Sequence, residues 1–257
     1  MTAATSGLRS IKGRLRRLIV RDQKPRLEIL TIPIERCRHY NGYKYGSSAF
    51  NPYENYIVGI HQGVDRGVLR DRFEDFLRHF RPRDFGALLQ APLSNHVPMW
   101  VYPWDARTAS PPDGGWVNDA DNVPDILTHF CEAGIQRSKI DGEYFWLERA
   151  YTTIATVGYQ PKQFSYVAVR ELRDGVKSVY IVKDGNHRLS ALTALGHKDV
   201  IVVRDQRETI DVAQYATWPR VVSRLYTPGD ALALCRAYFN GVDSFDRSNT
   251  PAGVLDV

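Results

Sequence analysis

The chain has 257 residues, 43% hydrophobic and 25% charged, which excludes a disordered tail, a collagen-like repeat and a disulfide miniprotein. Its formal charge of +5 is concentrated at one end: residues 1–40 hold ten Lys/Arg against three Asp/Glu, and the rest of the chain sums to −2. Three widely spaced cysteines (Cys37, Cys131, Cys235) with no CxxC pair argue against a disulfide framework or a zinc ribbon and favour a reducing compartment.

The N-terminal stretch Gly7–Val20 places Leu8, Ile11, Leu15, Leu18 and Ile19 at helical spacing with cations between them. Such a helix over residues 7–20 can dock on the body through its apolar stripe, lie on an anionic membrane surface, or touch nucleic acid. No apolar run of signal-peptide or membrane-spanning length follows, so the expected location is the cytoplasm, with peripheral membrane contact through residues 7–20 as its one variation. Leu27–Ile34 reads as a strand, with Pro33 placing it at a sheet edge. Residues 39–56 are rich in Tyr, Gly, Asn and Ser and are expected to form an ordered loop. Leu69, Phe73, Phe76, Leu77 and Phe80 define an amphipathic helix stopped by Pro82. Residues 91–124 hold six of the fourteen prolines and read as a long loop.

Helices are expected near 123–133 and 143–157. Strands follow at Ser165–Glu171 and Val176–Val182 around the Asp174-Gly175 turn, forming a hairpin. A helix through Leu189, Leu192 and Leu195 is closed by Gly196, and a strand at 199–204 comes next. Thr227-Pro228 opens a last helix that Gly241 closes. The length allows one large domain or two small ones.

The segment that carries chemistry is Asp184-Gly-Asn-His-Arg188, set between a strand and a helix. Gly185 lets the backbone approach a ligand, and the N–H groups opening the helix favour an anion. His187 and Arg188 add cationic donors, and an arginine can grip a phosphate with two parallel bonds. Asp184 can hold a divalent ion or orient a hydroxyl. The same residues also serve as ordinary helix capping, with Asp184 or Asn186 at the cap and the charges solvated.

Around this loop, from Tyr151 to Arg204, the chain resembles the ParB/sulfiredoxin superfamily. The resemblance rests on Gly158-Tyr-Gln-Pro161, on Val179-Tyr-Ile-Val-Lys-Asp-Gly-Asn-His-Arg-Leu-Ser-Ala-Leu-Thr-Ala-Leu-Gly196 and on Val200-Ile-Val-Val203, with Leu30-Thr-Ile-Pro-Ile-Glu35 similar to the opening strand. It covers about a quarter of the chain. It implies an α/β (α+β) fold, a small mixed sheet enlarged by a helical insertion and C-terminal helices. The implied divisions are a basic helix at 1–26, a ParB/sulfiredoxin-like domain at 27–241 with 36–150 inserted, and a tail at 242–257.

Three functions within the superfamily bear on this chain. Sulfiredoxins need a cysteine in the loop where this chain has Asn186, and an amide cannot do thiolate chemistry. ParB-type segregation proteins follow the loop with a helix-turn-helix region that is missing here, and the slightly acidic body disfavours nucleic acid. By elimination the pattern is nearest to the free serine kinases, which hold adenine-nucleotide phosphates in a similar loop. It is also similar to ParB-like proteins found among surface-polysaccharide genes. The resemblance therefore implies a nucleotide-dependent phosphotransferase acting on a small hydroxylated or sugar-like acceptor, using ATP or ADP with Mg²⁺. The alternative is a non-catalytic nucleotide- or DNA-binding regulator. In the kinase-like reading Gly185, Asn186, His187 and Arg188 hold phosphates and Asp184 handles metal or hydroxyl. Glu35 lies nearest the place where the free serine kinases keep their base, with Glu54 and Glu148 as rivals.

No Walker A loop, Gly-x-Ser-x-Gly elbow or Gly-x-Gly-x-x-Gly fingerprint occurs. Cys37-Arg-His39 has no second pair at zinc spacing. Tyr40, Tyr43, Tyr45, Tyr53 and Tyr56 suit either sugar stacking or the stapling of irregular chain to a core.

Overall fold

Apolar residues alternate along two consecutive segments around Asp174-Gly175, and the chain pairs them. A computed structural model describes residues 25–46, 50–80, 82–106 and 137–242. The expected helices at 7–20 and 123–133, the later part of the proline-rich loop and the tail after 242 lie outside these residues. The strands are β1 (Leu27–Pro33), β2 (Cys37–Arg38), β3 (Val167–Asp174), β4 (Lys177–Asp184), β5 (Asp199–Asp205) and β6 (Ile210–Asp211). The helices are α1 (Pro52–His61), α2 (Arg66–His79), α3 (Phe85–Leu89), α4 (Arg137–Val157), α5 (Pro161–Phe164), α6 (Asn186–Ala194), α7 (Pro219–Val222) and α8 (Pro228–Asn240).

The fold is α/β, built on a mixed sheet in the order β1-β5-β3-β4-β2, with β6 beside β5 on the same flank of β3. The hairpin β3–β4 is antiparallel, as is β1 with β5, while β5 runs parallel to β3 and β2 parallel to β4. Among the described residues β1 pairs only with β5, which puts Pro33 on an edge strand as the sequence predicts.

Strand β4 shows why the sheet has two cores. Val179 and Ile181 enter one hydrophobic cluster, while Tyr180 and Val182 enter the other, so successive side chains are buried on opposite faces. The smaller cluster joins Val167, Val169, Val182, Val200 and Val202 to Leu189 and Leu192 of α6. Full burial of each such side chain contributes about 1.5–3 kcal/mol relative to exposure. Helix α6 packs between α4 and α1, which fixes its position over the sheet.

The larger cluster occupies the other face. It joins α1, α2, α3 and the segment around Met99–Val101 to Leu234 and Tyr238 of α8 and to Leu172 of β3. The expected insertion at 36–150 therefore shares its core with the C-terminal helix. It also supplies a strand: β2 pairs with β4. Arg38, buried, ties the two parts together, donating to the carbonyls of Glu35, Cys37, Tyr238 and Phe239. The last two carbonyls belong to the final turn of α8, where intrahelical donors run out and a cation is favoured.

The expected loop at 39–56 ends early, because α1 begins at Pro52. Asn51 caps it by accepting from the Glu54 N–H, and Pro52 occupies the first turn, where its missing N–H costs nothing. The five tyrosines of this stretch are all buried; four join the larger cluster and Tyr45 the smaller. Tyr40, Tyr43 and Tyr45 staple irregular chain to the two cores, while Tyr53 and Tyr56 lie on α1.

Candidate functional site

The reading frame of β4 delivers Asp184 to the end of the strand, and Gly185 then turns the chain directly into α6. Gly185 has φ +93°, a left-handed conformation that a side chain rarely adopts. An added Cβ would also lie 2.8 Å from Arg188 Nη2 and 3.1 Å from Val167 Cγ2. Backbone geometry and packing both demand glycine here, and no side chain caps the helix. Neither Asp184 nor Asn186 therefore fills the capping role open to it on sequence grounds.

The side chains of the loop diverge. Asn186 Oδ1 accepts from the hydroxyl of buried Tyr45 at 2.7 Å, pinning the start of α6 to the segment that follows β2. Arg188 folds back. Its Nη1 donates to Phe164 O at 2.9 Å, and its Nη2 donates to Tyr166 O at 3.2 Å and Asp184 Oδ2 at 3.1 Å. The guanidinium thus braces the entry of β3 against the loop while its charge stays at the loop mouth. Asp184 is exposed apart from this ion pair.

His187 points the other way, into α4. Its Nε2 lies 2.7 Å from Glu143 Oε2, and Lys139 Nζ lies 2.9 Å from the other oxygen, Oε1. The Glu143 side chain is only 4% exposed. Burial pushes its carboxyl up, but the hydrogen bond and charge of His187, with the Lys139 ammonium, outweigh that and hold it down at about 2. His39 lies within electrostatic reach of this pair, wholly buried and stacked 5.0 Å from the Tyr53 ring. Burial drives it down to about 3, with Glu143 opposing and His187 adding to the fall, so it is neutral. Its Nδ1 accepts from the Asn41 N–H at 3.1 Å, which places its proton on Nε2.

The loop forms one wall of a cavity of about 540 Å³, within the range of small-molecule and cofactor sites. Opposite stand α4 and the turn before β3. Lys139, Arg149 and Arg188 give the lining its cations, and Trp146, Tyr159 and Phe164 its aromatic surface. The Arg149 guanidinium lies 5.4 Å from the Trp146 ring centre, and half of Trp146 remains exposed. Such a lining offers both charge for a polyanion and flat surface for a ring.

Asp184 is the one carboxylate in that lining. No group of three His, Cys, Asp or Glu side chains able to hold a metal occurs among the described residues. A lone carboxylate fits Mg²⁺, whose remaining ligands are commonly phosphate oxygens and water, and does not fit a metal caged by protein groups.

The other expected carboxylates lie elsewhere. Glu35 is exposed in the turn after β1 and lines a separate cavity of about 470 Å³ with Glu54, His61, Thr193 and His197. Thr193 marks the C-terminal end of α6, so Glu35 and the loop sit at opposite ends of that helix, about 13 Å of rise apart. The structure thus does not bring Glu35 to Asp184. Glu148 is taken by Tyr56 Oη at 2.6 Å and by Arg70 at 2.8 Å, a network that joins α1, α2 and α4. The residue that sequence reasoning passed over is Glu143. Its signal was a carboxylate on an apolar stripe, since Ile140, Glu143, Tyr144 and Leu147 recur at helical spacing and all are buried.

No protein-family model matches this chain, and neither the curated proteins nor the solved structures contain a match to it. Among the described residues no helix is long and apolar enough to cross a membrane.

Proposed function

We propose that the chain is a nucleotide-dependent phosphotransferase of the ParB/sulfiredoxin type, acting on a small hydroxylated or sugar-like acceptor. The observation that carries this reading is the left-handed Gly185, which opens a nine-residue helix onto a cavity lined by Lys139, Arg149 and Arg188. The free N–H groups of the helix start and the three cations favour phosphate. The Trp146, Tyr159 and Phe164 surface suits a nucleobase. In this reading the backbone from Gly185 to His187 and the charge of Arg188 hold the phosphates of ATP or ADP. Asp184 would take Mg²⁺, which supplies neutralisation of charge building on the transferred group. Glu35 has no part in it, because it faces the other cavity.

Calorimetry with ATP, ADP and Mg²⁺ tests the proposal. Binding by the wild type is expected, weakened roughly ten- to hundredfold in Arg188→Ala through loss of a charge-assisted contact and of the brace on β3. Asp184→Asn is expected to keep most of the affinity and lose metal-dependent turnover. No binding at millimolar nucleotide would end the proposal. Tight duplex-DNA binding without turnover would replace it with the regulator reading.

A further inference from the structure

We infer that His187 is the general base of this site and that Glu143 is its positioning residue, an inference that rests on the phosphotransferase reading above. The geometry is one-sided. Glu143 is ionised and can only accept, so the proton between it and His187 belongs to Nε2. In its neutral form, with Nε2–H held by Glu143, the His187 ring leaves Nδ1 as a lone-pair acceptor. Among the described residues nothing is bonded to Nδ1, and His187 lines the cavity. A ring fixed at one nitrogen by a buried carboxylate, carried on a residue that lines the ligand space, is the arrangement that acid–base catalysis requires.

The surroundings favour this assignment over the other carboxylates. Asp184 is paired with Arg188, and Glu35 faces the far end of α6. The charged and titratable groups around His187 are Glu143, Lys139 and Arg149 from α4, neutral His39 from the segment after β2, and Asp184 and Arg188 from its own loop. Lys139 completes the device: it neutralises the second oxygen of Glu143 and keeps that carboxylate charged in a buried place.

His187 Nδ1 takes the proton of the attacking hydroxyl as its oxygen bonds to the terminal phosphorus. The bond from that phosphorus to the bridging oxygen breaks, and the electron pair departs on the shortened nucleotide. The imidazolium is balanced by Glu143, which does not itself take the proton, and His187 later releases its proton to water. Water can replace the acceptor hydroxyl, which gives the test a defined probe.

The experiment measures phosphate release from ATP with Mg²⁺ across pH 5 to 9 in the full chain, beside ATP binding by calorimetry. Variants are Glu143→Gln and His187→Ala, with free imidazole added to the latter. Glu143→Gln is expected to bind ATP within about threefold of wild type, to turn over about ten- to a hundredfold more slowly, and to move the acidic limb of its pH profile to lower pH. That shift follows because the imidazolium loses its buried counter-charge. His187→Ala is expected to lose about a hundredfold or more, with partial recovery in imidazole. A merely structural role for the pair predicts lower melting temperatures with an unmoved pH profile and no rescue, and that result overturns the inference while leaving the nucleotide reading intact. Absence of ATP binding in the wild type removes the reading itself, and binding without any phosphate release overturns the assignment of a base.

Discussion

The two ends of helix α6 each hold a buried carboxyl beside a cavity, and the two behave in opposite ways. At the N-terminal end Glu143 has His187 and Lys139 within 2.9 Å and is held down at about 2. At the C-terminal end Glu54 accepts, among the described residues, from the Gly46 N–H at 3.1 Å, and burial raises it to about 7 against that donor. Burial is nearly the same for both. The cations decide the charge state, and with it what chemistry each end can support. A permanently charged carboxylate orients a histidine. Among the described residues the carboxyl titrating near neutrality has no such partner to orient.

The largest effect is expected at Glu143. Glu143→Ala leaves Lys139 and His187 facing a buried void and is expected to lose about 3 kcal/mol in denaturant unfolding. Glu54→Ala lacks any stranded cation, so its loss should be clearly smaller; equal losses would show that charge pairing does not distinguish the two ends. Next in size is Gly185→Ala. Its φ of +93° and the 2.8 Å approach to Arg188 predict a loss of about 1–3 kcal/mol, with weakened ATP binding even where the protein is fully folded.

The pH dependence sharpens the contrast because the two signs differ. The lowered Glu143 contributes stability above its unfolded range near 4.5, and that stability is lost as pH falls toward about 2. The raised Glu54 keeps its proton longer in the folded state, so its contribution declines as pH rises from about 4.5 through about 7. Glu54→Gln should therefore flatten the fall of Tm between pH 5 and 8, an effect of about 1–3 kcal/mol. Glu143→Gln should remove the loss at acid pH. The smallest effect is expected at Asp184. It is exposed and its partner Arg188 keeps two carbonyl acceptors, so Asp184→Asn should change stability by less than about 0.5 kcal/mol. A larger change would mean that the loop depends on this ion pair for its shape.

Much of the frame was legible in the chain. Period-two runs around Asp174-Gly175 determined the β3–β4 hairpin, and Leu69–Phe80 at helical spacing determined the buried face of α2. Thr227-Pro228 and Gly241 determined both ends of α8, with Thr227 and Asp230 forming a reciprocal cap. These features depend on neighbours along the chain, so local sequence suffices. The strand–loop–helix passage through Asp184–Arg188 was legible for the same reason.

What only the tertiary structure decided depends on residues far apart. The 36–150 segment shares its core with α8 because both need the same face of the sheet, and no local pattern records that need. Glu35 lies near the first strand in sequence but at the wrong end of α6, since β1 returns beside β5 rather than beside the loop. Glu143 and His187 are 44 residues apart in the chain and meet only because α4 packs on α6. The sequence by itself determined that a loop of this composition would open a helix. Packing decided which carboxylate stands behind it, because a buried charge is tolerated only where the fold brings its counter-charges within hydrogen-bond reach.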